Sequence, residues 1–423
     1  MWAAIRASWP LFIGMIFLMV SNGLLTTLLT LRGSGLGFSD SAIGLMQSGY
    51  PLGSLLGCLI APRLIRQVGH IRVFAALASI ASGAALVHLV TFDPWSWGAM
   101  RLITGFCFSG LYVVSESWLN GSSTNESRGS VLSIYFIVQT GGFTAGQLLL
   151  NISSPEGILL FIVVSILISF SLVPMLVSAS ATPPYELPER ISLPELFRLS
   201  PMGLTGSFLN GISQTALYVA FALYGKAIGL STGAIGLMLG FMTMGGMLFQ
   251  FPLGKLSDMV DRRLVIVGAP GLSIPVCFVL ASLENPAGKL NLLYLLVVLL
   301  GGLTLPIYSV CMAHMNDHLK PSQIVAASGT LVLILALGMT IGPTLGGMAI
   351  EHYGPEGIFY LLAITAALTV MTALFRWWSR PTRVDSRSTA VAVSASLTPE
   401  AVTLYPDASS HDDSQGRDRP DWR

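Results

Sequence analysis

This chain has little charge. Of its 423 residues, 10% are Asp, Glu, Lys or Arg and 53% are hydrophobic, against roughly 25% charged in an average soluble domain. No acid stands near the middle of any long apolar run, which disfavours strongly cationic ligands. No glycine-rich phosphate loop occurs, so ATP drive is not expected, and no His/Cys/Asp/Glu grouping has metal-ligand spacing. We therefore expect no cofactor, no enzyme chemistry and no nucleic-acid partner. Cysteine is scarce as well. Cys58, Cys107, Cys277 and Cys311 all lie in apolar runs without C-x-x-C spacing, which reads as small buried hydrophobes rather than a disulfide framework.

What is abundant is apolar sequence in runs of about 20 residues, each long enough to cross a hydrocarbon core of about 30 Å. A soluble globule could not hide them all. Polar, charged or Gly/Pro-rich breaks divide the chain into twelve candidate helices, near 10–31, 41–61, 72–91, 96–119, 129–150, 157–178, 203–225, 234–253, 264–283, 290–313, 324–349 and 357–378. The long polar break falls after the sixth. The expected organisation is a six-helix half over 1–178, a cytoplasmic central loop over 179–201, a second six-helix half over 202–378 and a disordered cytoplasmic tail over 379–423. With both termini cytoplasmic, eighteen basic residues lie inside (among them Arg63, Arg66, Arg72, Lys255, Arg262, Arg263 and all seven Arg from Arg376 onward). Three, Arg32, Lys226 and Lys289, lie outside. This bias supports an inner-membrane, multi-pass orientation.

The halves repeat. "GFSDSAIGLM" from Gly37 matches "GLSTGAIGLM" from Gly229 at seven of ten positions. "YVVSESWLN" (Tyr112–Asn120) pairs with "YSVCMAHMN" (Tyr308–Asn316), and "GFTAGQ…PEG" (Gly142–Gly157) with "GPTLGG…PEG" (Gly342–Gly357). Three matches in one order on either side of a central loop point to two parallel six-span repeats, a design in which substrate sits between the halves near the midplane.

Several motifs carry more than topology. "GKLSDMVDRR" (Gly254–Arg263) fills the loop between spans eight and nine, where Asp258 can cap a helix start and Arg262 and Arg263 can meet carboxylates. The first-half counterpart, "PRLIRQVGHIR" (Pro62–Arg72), has departed from it: Arg66 stands where Asp258 does, and His70 where Arg262 does. In span four, Arg101 heads an R-x-x-x-G run and Glu116 lies fifteen residues on, roughly 22 Å along a helix. Glu116 is thus expected near the inner end, within reach of Arg63, Arg66 and Arg72. "GMTIGPTLGG" (Gly338–Gly347) should pack one helix closely on its neighbours.

These motifs resemble those of the major facilitator superfamily over about 370 residues. "ESWLN…RG", "GQLLLN", "GxxSDxxDRR" and "AHMND" are similar to its bacterial YcaD-like branch. The resemblance implies an all-α membrane fold of twelve transmembrane helices and a secondary transporter that moves a small organic solute by alternating access. It also associates the span-four Arg with proton movement, makes protons candidate partners beside the lipid bilayer, and prefers export to uptake. A monomer is expected. A uniporter or importer of a polar metabolite such as a sugar, or a transport-dead sensor or scaffold, are the alternatives. By analogy with the fold, cavity candidates are Asn22, Thr26, Gln47, Tyr50, Arg101, Tyr112, Gln139, Gln147, Asn210, Gln214, Tyr218, Tyr308 and His314. Coupling candidates are Arg101, Glu116 and Asp317. The gating loops carry Arg63, Arg66, Arg72, Gly254, Asp258, Arg262 and Arg263.

Overall fold

The computed structural model describes residues 2–122, 125–177, 193–319 and 321–379. Its first half contains α1 (Trp2–Gly35), α2 (Asp40–Val68), α3 (His70–Val87), α4 (Pro94–Ser122) and α5 (Asn125–Leu148). A sixth crossing is made of α6 (Leu159–Phe170) and α7 (Leu172–Val177). A short α8 (Leu193–Leu199) precedes the second half: α9 (Pro201–Ala227), α10 (Thr232–Met259), α11 (Arg262–Ala281), α12 (Leu290–Thr304) with α13 (Ile307–Asn316), α14 (Pro321–Tyr353) and α15 (Gly357–Ser379). The fold is an all-α bundle of twelve crossings in two six-helix repeats. Ten of the crossings are long and apolar enough to span a membrane among the described residues. In α9 the polar cluster Asn210, Ser213, Gln214 and Thr215 interrupts the apolar run.

Two details depart from the sequence reading. The tenth crossing is not one helix: it breaks at Leu305-Pro306, and the amide of Asn210 donates to the Thr304 carbonyl there at 2.7 Å. Part of the central loop is helical as α8, and Pro201 opens α9; residues 179–192 of that loop and 380–423 of the tail lie outside the described residues.

The repeated "AIGLM" stretches sit at corresponding turns. Gly37 and Gly229 adopt φ of 83° and 78°, a left-handed backbone that glycine tolerates without strain. Two residues later Ser39 and Ser231 cap α2 and α10, each hydroxyl oxygen accepting from the backbone N–H of Ala42 (3.2 Å) or Ala234 (3.3 Å). One turn further, the glycine of each copy meets the other half. A Cβ on Gly44 would strike the Pro343 carbonyl of α14, and one on Gly236 would come within 2.8 Å of the Gln147 carbonyl. Gly347 of α14 faces the Asp40 carbonyl in the same way.

Three side-chain contacts tie the halves at this end. Lys226 donates to Ser34 at 2.8 Å, the Ser41 backbone N–H to Glu351 at 2.8 Å, and Ser48 shares a hydrogen with Thr344 at 2.8 Å. Lipid tails are as apolar as leucine, so close backbone approach and polar contacts, rather than hydrophobic burial, hold membrane helices together. The seam between α2 and α14 is therefore built from the glycines that let two backbones touch.

Glycines also lock α2 to α4 within the first half. Gly49, Gly53 and Gly57, spaced by four, lie over the carbonyls of Gly98, Leu102 and Phe106. In α14, Pro343 lacks an N–H, which frees the carbonyl four residues back. That carbonyl, of Met339, accepts from the Thr215 hydroxyl of α9 at 2.9 Å.

The seam makes a direct prediction. Gly44→Val should force α2 and α14 apart at this end, lengthening the distance between spin labels at Leu36 and Leu230 measured by double electron–electron resonance. The same substitution at Gly83, where a Cβ meets nothing within 4 Å, should leave the distance unchanged.

Candidate functional site

Between the halves lies a cavity of about 220 Å³. Its first-half wall comes from α1, α2, α4 and α5, and its second-half wall from α9, α10, α14 and the break after α12. It stops beneath the α2–α14 seam and continues toward the opposite end past Leu55, Cys58 and Gln250.

Nine of the residues expected to line the path border this cavity: Asn22, Thr26, Gln47, Tyr50, Arg101, Tyr112, Gln139, Gln214 and Tyr218. On the first-half side they form one connected polar group. The Asn22 amide nitrogen donates to the hydroxyls of Tyr50 (2.9 Å) and Tyr112 (3.1 Å). The Gln47 amide nitrogen donates to the Thr26 carbonyl (2.9 Å) and the Thr30 hydroxyl (2.8 Å). Arg101, 2% exposed, reaches the Thr26 hydroxyl with Nη2 at 3.4 Å and lies 4.4 Å from the centre of the Tyr50 ring. A cation over a tyrosine face is attracted by the ring quadrupole, more strongly when desolvated.

Four expected lining residues lie elsewhere. Gln147 is buried in the seam, with its backbone against Gly236. Asn210 serves the helix break described above instead of sharing the cavity face with Gln214 and Tyr218. Tyr308 packs in an apolar cluster with Leu204, Met312 and Leu331. The ring of His314 is buried against that of His318, 4.8 Å between centroids. Residues the sequence reading passed over also line the cavity, among them Gln250, Thr215, Thr243 and Phe143. Gln250, which donates to Ser309 at 2.8 Å, had a signal: it is a lone amide in the apolar run "MLFQFPLG".

At the opposite end the two hairpin loops differ chemically. In the second half, Asp258 does not cap a helix. Asp261 caps α11, accepting from the Arg263 N–H at 3.0 Å. Asp258 instead pairs with Arg262 at 2.9 Å, and Arg262, 3% exposed, also meets Asp317 at 2.7 Å. The Asp317 side chain is 6% exposed. This pairing joins the α10–α11 loop to the end of α13. In the first half, His70 occupies the position of Arg262 and meets the Ser117 hydroxyl of α4 at 3.0 Å. Gly254 lies in the last turns of α10 with open space where a Cβ would be. Arg63, Arg66 and Arg72 are exposed. Glu116 is fully buried, and it accepts a hydrogen bond from the Tyr135 hydroxyl at 2.7 Å.

Comparison with known proteins agrees with this geometry. The sequence is 29% identical over 367 residues to an uncharacterized MFS-type transporter of Yersinia pestis (strain Pestoides F), covering 86% of this chain and 94% of that one. It is 27% identical over 364 residues to the uncharacterized MFS-type transporter YcaD of Escherichia fergusonii, covering 85% and 93%. The fold matches a mutant form of nucleoside transporter NupG (TM-score 0.76, 14% identity, 87% of this chain and 99% of that one). It also matches a bacterial homologue of the human lysosomal transporter Spinster in an inward-facing, occupied conformation (TM-score 0.70, 15% identity, 90% and 98%). The sequence model of the Major Facilitator Superfamily fits residues 11–202 and 203–406, so this chain, with its two repeats and a cavity between them, belongs to that superfamily.

Proposed function

We propose that this protein is a secondary transporter that carries a small organic solute through the cavity by alternating access. The observation that supports this best is the cavity's shape: it lies between two repeats, ends under a glycine seam and continues toward the other end. Such an arrangement exposes a central site to each side in turn when the repeats rock. With both termini cytoplasmic, as the basic residues favour, the seam closes the outer side and the cavity faces inward. Export is the direction we assign, on resemblance to the YcaD-like branch.

The loop pairs fit a part in this cycle. The seam must part and the opposite ends must meet as the repeats rock, so contacts fixing the ends of α10, α11 and α13 bias one conformation over the other. Arg262, Asp258 and Asp317 supply the charged version of that contact; His70 and Ser117 supply a neutral one. Glu116 is the group we assign to proton coupling, because a carboxyl buried inside a membrane helix is a functional candidate by default and its Tyr135 partner can donate to it in the ionised form.

Three outcomes follow. Purified protein in liposomes should accumulate or exchange at least one member of a broad solute panel; transport of none supports a sensor or scaffold instead. Glu116→Gln should abolish gradient-driven transport while leaving counterflow, and a variant whose pH dependence is unchanged removes Glu116 from coupling. Asp317→Asn removes the more deeply buried of the two Arg262 partners and should destabilise by about 3–5 kcal/mol. Asp258, 29% exposed, should cost below about 1 kcal/mol when changed to Asn. Melting midpoints of the purified variants check the order, and equal shifts would contradict it.

A further inference from the structure

Arg101 has more hydrogen-bonding capacity than its surroundings use. Its side chain is 2% exposed, yet Nε and Nη1 are buried without a hydrogen-bond partner among the described residues. A guanidinium carries five N–H donors in a fixed plane, and a buried charged donor left unmade is costlier than a neutral one. The Tyr50 ring, 4.4 Å away, offers a negative face to the cation but accepts none of the in-plane donors. No Asp, Glu, Lys or His lines the cavity, so among the described residues Arg101 is the single formal charge on its wall. The site lacks an anion.

The rest of the wall defines what that anion should look like. Both phenol oxygens, Tyr50 and Tyr112, accept from Asn22 and share one hydrogen between them at 3.5 Å, which leaves one phenolic hydrogen available on the same side as Arg101. The facing wall is different: Met247, Leu305, Val332, Leu333, Ala336 and Met339 are apolar. Formal charge is thus confined to the first half, while the second half carries neutral polar side chains (Gln214, Thr215, Tyr218, Thr243 and Gln250) beside an apolar strip on α14 and the α12–α13 break.

We infer that the cavity binds an amphiphilic organic monoanion, whose carboxylate pairs with Arg101 at the closed end while its apolar body lies against α14 and the α12–α13 break. This inference rests on the transport reading only in taking the cavity as the solute's path. A dianion would leave one charge without a partner in a low-dielectric site, and a cation would meet Arg101 as a like charge. A neutral solute would leave the guanidinium uncompensated.

The test compares acids with their own amides. The full chain in detergent is melted with benzoate, phenylacetate or hexanoate, and with benzamide, phenylacetamide or hexanamide at equal concentrations. At least one acid should raise the melting midpoint while its amide does not, and Arg101→Gln should lose that shift whereas Arg101→Lys keeps part of it. The inference is overturned if the amides protect as well as the acids, if none of the acids protects, or if the shift survives in Arg101→Gln. Should Arg101→Gln fail to fold, the acid–amide contrast in the unaltered protein decides. Counterflow of the radiolabelled acid in liposomes separates this inference from the transport reading. Binding of the acid without exchange keeps the anion site and defeats transport. Exchange of a neutral solute that the acids do not inhibit, at equal rate in Arg101→Lys, keeps transport and defeats the anion site.

Discussion

The architecture depends on one constraint: in a lipid solvent, two bundles can hold together only where their backbones come close enough to touch. Gly44, Gly236 and Gly347 provide that approach between the repeats, and Gly49, Gly53 and Gly57 provide it within the first repeat. The polar contacts at the seam, such as Ser48 with Thr344, add modestly, since membrane side-chain hydrogen bonds contribute on the order of 1 kcal/mol each. A seam of this kind is strong enough to close and weak enough to open. An apolar interface of bulky side chains would interlock, and a buried ion pair across it would be costly to break without water.

At the opposite ends, contacts within each repeat differ in chemistry. Arg262 between Asp258 and Asp317 is a charged clasp in which desolvation is offset by two short ion pairs. His70 with Ser117 is a neutral contact at the equivalent place. The two repeats share a backbone plan and a turn sequence, yet the electrostatics of their loops have separated. One loop depends on two carboxylates; the other does not carry a carboxylate to lose. In the first repeat the buried acid has instead moved into the span, as Glu116, with a tyrosine for company.

Much of this was legible in the sequence, and the parts that were not have a common cause. Apolar length announces each crossing, because the bilayer fixes it. The repeated Gly-x-Ser turn is readable for the same reason in both copies: glycine's positive φ and the serine cap are local properties. Orientation about the helix axis is not local. Asn210, Gln214 and Tyr218 share a face by spacing, but the break at Leu305-Pro306 draws Asn210 to a freed carbonyl and leaves the other two on the cavity. Asp258 reads as a cap from sequence; only the fold brings Asp317, fifty-five residues beyond Arg262, close enough to show that Asp258 pairs and Asp261 caps. Gln250 was legible as a lone amide in an apolar run, and what it faces was not.

One helix joins these features mechanically. The glycine ladder of α2 fixes it to α4, the helix that carries Arg101, while its Gly44 face meets α14 across the seam. Gly49 lies on that ladder with its Cβ position 3.3 Å from the Cβ of Arg101. The cationic end of the cavity and the closure above it thus sit on one glycine-locked pair of helices. A single helix therefore stands between the cavity's one charge and its closure, with backbone contact on both of its faces.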